Sequence, residues 1–173
     1  VYAVEKLLEN FIDYLQQENQ VMDRLCEWGQ KKKDLIILGR VKELDDLIKQ
    51  ESLAINEFQG LEENRFKLQQ QLADGWKMDI KDISAREILK RVEEDQPALF
   101  DSLQQSVNRL DFNLIRLKAI NEHNNELLEE SLDYIGAMEA AILGDKAGLY
   151  SNSGDQLDEK NILSRKNLLD KKV

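Results

Sequence analysis

At 173 residues, with 42% hydrophobic and 34% charged residues, the chain has material for one or two domains and for a real core if its segments fold back on one another. Scarce aromatics and a single proline, Pro97, argue against a sandwich or barrel, whose strands and turns draw more heavily on both. The net charge of −10 repels phosphate backbones and anionic lipid surfaces at long range, so nucleic acid is not an expected partner.

The first periodic segment runs from about Val4 to about Leu38. Val4, Leu7, Leu8, Phe11, Leu15, Met22, Leu25 and Trp28 recur at three- and four-residue steps, opposite a face of Glu, Gln, Asn and Asp. Cys26, the one cysteine, lies in this stripe as a small buried hydrophobe and has no partner for an internal disulfide, which suits a reducing compartment. Lys31-Lys32-Lys33 complements the dipole at the helix end and keeps the following corner solvated. Gly39 then makes a tight corner or kink.

The second segment begins near Val41 and continues through Leu44, Leu47, Ile48, Glu51, Ile55, Phe58, Leu61, Glu62 and Phe66 toward Leu72. Between Ala73 and Gln96 the periodicity is lost. Gly75 is expected to end the second helix, and Ser84-Ala85-Arg86-Glu87 has the form of a capping box that opens a short helix holding Ile88, Leu89 and Val92. Pro97 suits the first position of the last helix, where its missing N–H forfeits no intrahelical bond.

From Leu103 the stripe is the most regular in the chain: Val107, Leu110, Leu114, Leu117, Asn121, Asn124, Leu128, Ser131, Ile135, Met138 and Ile142. This heptad spacing is compatible with left-handed packing of helix on helix. Gly144 and Gly148 are expected to close a helix of about 45 residues, about 70 Å long. The expected architecture is therefore all-α: an elongated antiparallel bundle of long helices over residues 1–144, with the short helix in the longest connection. Residues 145–173 are expected to form a mobile C-terminal tail. There the turn-prone Ser151-Asn152-Ser153-Gly154-Asp155 precedes a weak amphipathic segment with Leu157, Ile162, Leu163, Leu168 and Leu169.

Chemistry-bearing patterns are absent. His123, the sole histidine, has no second histidine or cysteine near it, and Glu122, Glu126 and Glu130 read as the wet face of a helix rather than metal ligands. Ser102, Ser106 and Ser131 have no histidine at a useful spacing for a nucleophilic triad. Glu93-Glu94-Asp95 is a solvated charge run, and no glycine-rich loop precedes a Lys-Ser or Lys-Thr pair. No catalytic site, cofactor or metal is expected. Asn121 and Asn124 either fix the register of a packed stripe or mark where that stripe is open to a partner. No apolar run approaches the ~20 residues needed to cross a bilayer, and Val1-Tyr2-Ala3-Val4 meets Glu5 and Lys6 without a signal-peptide core. The expected location is the cytoplasm, with no stable membrane insertion.

Gly39-Arg40-Val41-Lys42-Glu43-Leu44-Asp45-Asp46-Leu47, followed by Glu51 and Ile55, resembles the helix corner of the FlgN family of flagellar export chaperones. The run Asn121-Glu122-His123-Asn124-Asn125-Glu126-Leu127-Leu128-Glu129-Glu130-Ser131-Leu132-Asp133-Tyr134-Ile135 is similar to the family's Asn-rich turn and Leu-Leu pair. Leu149-Tyr150 followed by Gly154 resembles its short Tyr-Gly element. The resemblance implies a type III export chaperone that holds the helical terminal segments of hook-associated, hook–filament junction proteins unassembled and delivers them to the cytoplasmic domain of the export gate. It implies partner contacts at Asn121, Asn124 and Leu128, a gate contact at Tyr150, and capture of the guest helix by Leu157, Ile162, Leu168 and Leu169. The rival reading is a structural coiled-coil protein that self-associates.

Overall fold

In the computed structural model, residues 2–150 are described, with side chains from residue 3 to 143. The element order is α1 (Tyr2–Ile37), α2 (Val41–Gly75), a 3₁₀ turn (Ile80–Asp82), α3 (Ala85–Asp95) and α4 (Pro97–Tyr150). The fold is all-α, as the periodicities require. The described residues divide after Ser131 into two units.

In the first unit the chain runs up α1, down α2 and up α4. Arg65 of α2 reaches Glu18 of α1, and Lys32 near the end of α1 reaches Glu51 near the start of α2, so these helices are antiparallel. Asn19 pairs with Ser106 and Asn113, while Gly29 pairs with Asn124, so α1 and α4 are parallel. α3 lies in the connection that carries the chain back to the start of α1. Its Ile88 and Val92 are buried in one cluster with Leu8, Phe11, Ile12, Leu15, Leu72 and Leu103. A second cluster gathers Val21, Met22, Leu25 and Ala54, with Phe58, Leu110 and Leu117 packed on it.

Between the two clusters lies a polar layer that the apolar stripe conceals. Glu18 and Asn19 belong to the face expected to be wet, yet Glu18 is fully buried and Asn19 nearly so. Their positions follow Leu15 by three and four residues, which is the packing step itself. Glu18 receives both its contacts, 2.8 and 3.0 Å, from Nε of Arg65. Burial raises the Glu18 carboxyl above its ordinary value, and the Arg65 hydrogen bond and charge oppose that rise. Asn19 donates to the Ser106 carbonyl at 2.9 Å and accepts from the Asn113 amide at 3.3 Å. Such a layer rewards one register, because a slip would strand buried polar atoms.

The corners follow helix-terminal hydrogen bonding. At the end of α1, Arg40 N–H donates to Leu35 C=O and Gly39 N–H to Ile36 C=O, with Gly39 at φ 65°. This is a Schellman closure, and it needs a left-handed residue where glycine stands. The end of α2 closes in the same way, Met78 to Ala73 and Lys77 to Asp74, but the left-handed residue is Lys77 at φ 55°. α2 nevertheless ends at Gly75, as expected, and a Cβ there would lie 3.3 Å from Val4. Ser84 caps α3 by accepting from Glu87 N–H at 3.2 Å. The returning half of the expected capping box is replaced by a bond from Arg91 to the Glu87 carboxylate. Pro97 opens α4 as expected, and α4 continues through Gly144 and Gly148 to Tyr150, 54 residues in all.

Candidate partner-binding surface

The seam between α1 and α4 is made largely of small and polar groups. Buried Ser106, Asn113 and Asn124 of α4 face Asn19, Cys26 and Gly29 of α1. At Gly29 the helices approach so closely that an added Cβ would stand 2.5 Å from Ile120 Cγ2. The register of α4 therefore differs from the leucine-weighted expectation. Leu114, expected inside, is 47% exposed, whereas its neighbour Asn113 is 1% exposed. Leu110, Leu117 and Asn124 do face inward or partly so, because they lie on the rung shared by the expected and observed stripes.

The expected partner residues fall in different environments. Asn121 is exposed and Leu128 half-buried. Asn124 is 2% exposed and donates from Nδ2 to the Gly29 carbonyl at 2.8 Å, while its Oδ1 has no hydrogen-bond partner. Tyr150 is the final residue of α4, with its side chain outside the described residues. Leu157, Ile162, Leu168 and Leu169 also lie outside them.

In the second unit, α4 presents a surface of different character. Leu132, Ile135, Met138 and Ile142 follow one another at steps of three and four, so they share one helical face. All four are about half exposed, from 47 to 52%, and Leu143 at 57% broadens the stripe. Asp133 and Glu139 are the sole charged residues between 132 and 143, Gly136, Ala137, Ala140 and Ala141 are small, and Tyr134 is a further exposed bulky side chain. Burying the exposed half of such a side chain contributes about 1 kcal/mol each. A helix with apolar residues at matching steps would supply that cover.

The other concavities offer different chemistry. A depression of about 440 Å³ between α1 and α4 is lined by Gln16, Asn19, Asp23, Ser106 and Arg109, with an Asp23–Arg109 ion pair at its rim. Among the described residues, no group of His, Cys, Asp and Glu is arranged to hold a metal ion. No described helix is long and apolar enough to cross a membrane.

The family model described as FlgN protein matches residues 7–157 of the chain. No curated protein and no solved structure matches it.

Proposed function

The chain belongs to the FlgN family of flagellar export chaperones, and from that premise we propose that its cargo is the helical terminal segment of a hook-associated protein. The exposed apolar stripe Leu132, Ile135, Met138 and Ile142 carries this reading. An amphipathic guest helix laid along it would have its own apolar face covered, and that face is the part that otherwise drives premature assembly into a coiled coil. The contact needs no nucleotide and involves a few half-buried side chains, so it is reversible, as release at the export gate demands.

The tail completes the proposal. Leu157, Ile162, Leu168 and Leu169 supply further apolar contacts that capture the guest, and Tyr150 offers an apolar ring with one hydrogen-bonding group to the cytoplasmic domain of the export gate. Ordering a tail of that length on the guest subtracts several kcal/mol from the gross contact energy and moderates the affinity. The same apolar stripe would also suit a second copy of the chain, so self-association is the rival.

Sedimentation equilibrium of the full chain, alone and mixed with a purified hook-associated protein, separates the two. A chain that sediments as a monomer alone and as a heterocomplex in the mixture supports cargo binding. A homo-oligomer unchanged by the added protein assigns the stripe to self-association. Calorimetry of the full chain against one ending at Gly154 tests the tail, for which equal affinities would remove the capture role.

A further inference from the structure

The first unit is closed by a fourth helix along only part of its length. Every side-chain hydrogen bond and ion pair that joins two of its long helices has one end on α1, and none joins α2 to α4 among the described residues. Over the first cluster α3 closes the seam between α2 and α4, its Ile88 and Val92 buried with Leu72 of α2 and Leu103 of α4. Beyond α3 the same faces come into the open. Ile48, Ile55 and Phe66 of α2 and Leu114 of α4 are 43 to 49% exposed. Phe58 and Leu61 of α2 and Leu110 and Leu117 of α4 form the floor, packed on Val21, Met22 and Leu25 of α1. From Phe66 to Ile48 the open stretch spans about 27 Å of helix.

Along this stretch the walls carry Glu51 and Glu62 on α2 and Asp111, Lys118 and Glu122 on α4. Lys32 takes up Glu51, and Lys118 lies 4.0 Å from Glu122. The remaining cations stand on other faces: Lys49 on Asp45, Arg109 and Arg116 on Asp23, and Lys67 five residues past Glu62. Two carboxylates are left. Arg65 approaches Glu62 only to 3.9 Å while its Nε holds Glu18 at 2.8 Å, and Asp111 has no ion-pair partner among the described residues. Glu62 is one turn from Arg65, which meets Glu18, and Asp111 lies between Ser106 and Asn113, which meet Asn19. The two therefore stand at about the same height on opposite walls.

We infer that the α2–α4 seam beyond α3 receives an amphipathic helix of another protein, with apolar residues at steps of three and four and a lysine or arginine at its middle. A helix is the form that fits, because helical walls offer no free backbone to a strand, whereas a helix brings its own hydrogen bonds. α3 already fills the neighbouring stretch of the same seam in this way, with two apolar residues four apart. The central cation follows from Glu62 and Asp111. A second copy docked seam to seam would bring the same two carboxylates to the contact, so like charge would meet like. The site lies wholly in the first unit and is separate from the cargo stripe.

Calorimetry of the full chain tests the inference, in the L132S/I135S/M138S/I142S background that removes the cargo stripe. The probes are two synthetic 18-residue helical peptides, roughly the length of the seam, with leucines at steps of three and four. One carries lysines at its middle and the other glutamates. The lysine peptide should bind about tenfold more tightly, and E62K/D111K should reverse that preference. D46K/D101K makes the same charge change at exposed positions on other faces and should keep the preference of the parent. Each half-exposed apolar side chain contributes about fivefold, so I48S/I55S/L114S should lose about a hundredfold while keeping a cooperative circular dichroism melt. The inference is overturned if the lysine peptide does not bind, if both peptides bind equally, or if E62K/D111K and D46K/D101K behave alike. It is also overturned if I48S/I55S/L114S binds as the parent does. A chain that sediments as a dimer, and as a monomer once I48S/I55S/L114S is introduced, would overturn it by assigning the seam to a second copy.

Discussion

Replacing Gly29 by alanine tests the close approach of α1 and α4, and Gly60 supplies the matched control. Both glycines lie inside long helices, where alanine normally gains about 0.5–1 kcal/mol over glycine. At Gly60 an added Cβ meets nothing within 4 Å, so the variant should show that full gain. At Gly29 the Cβ would lie 2.5 Å from Ile120 Cγ2, a branched atom close to the backbone that has little room to yield. Carbon atoms rest about 3.5–4.0 Å apart, so the helices must separate by about an ångström. Such overpacking costs about 1–3 kcal/mol. The same movement stretches the 2.8 Å bond from Asn124 to the Gly29 carbonyl, in a side chain whose Oδ1 already lacks a partner. Stranding that donor costs about a further 1–3 kcal/mol, against which the helix-propensity gain is small. The expected outcome is opposite signs: a lower urea midpoint for Gly29→Ala and a higher one for Gly60→Ala. Adding Ile120→Ala to Gly29→Ala should recover about 1 kcal/mol or more of coupling. If both glycine variants were stabilised alike, α1 and α4 would not meet at this point and the seam would be misplaced.

Other outcomes follow from the same packing. Leu103→Ala, at a fully buried position, should lose about 2–5 kcal/mol, whereas half-exposed Leu114→Ala should lose no more than about 1 kcal/mol, both read from denaturant midpoints. Glu18 has a folded pKa raised by burial, so its neutral form favours the fold: that contribution is complete below the ordinary value of 4.5 and is lost as pH rises through the raised one. Lowering the pH from neutral toward 4.5 should therefore shift the stability difference between the parent and Glu18→Gln in the parent's favour, and a difference that stays constant would refute the burial of an ionised carboxylate. Lys77→Gly should stabilise by about 1 kcal/mol, because the left-handed conformation at φ 55° strains a residue with a Cβ; a loss in thermal midpoint would refute the Schellman closure there.

The helices themselves were legible because their signals are local. Gly39 marks the first corner, Ser84 the cap of α3 and Pro97 the start of α4, each through a backbone requirement that its own residue type satisfies. The centre of the α1–α4 seam was not legible from hydrophobicity. Its closest approach depends on Gly29, and its buried α4 positions include Ser106 and Asn113, so a search for leucine steps drifts one position over, to Val107 and Leu114. Glu18 is hidden for a related reason: a buried carboxylate looks like a surface residue until its cation, Arg65, is found on another helix, whereas Glu51 lies on the expected stripe of α2 and is buried there against Lys32. Lys32, within the lysine run expected to solvate the corner, instead reaches across to Glu51 of α2. The stripe from Ile135 to Ile142 was recognised by its spacing, but spacing cannot distinguish an internal face from one that is half exposed.

Cargo binding on that stripe is tested most directly by calorimetric titration of the helical C-terminal segment of a hook-associated protein into the full chain and into its L132S/I135S/M138S/I142S variant. These side chains are about half exposed, so the variant should keep the parent's urea midpoint for the first unit. With about 1 kcal/mol at each of four contacts, the expected loss is at least about a hundredfold in affinity. An affinity equal to the parent's, in a variant that still folds, would contradict the placement of the cargo helix on α4.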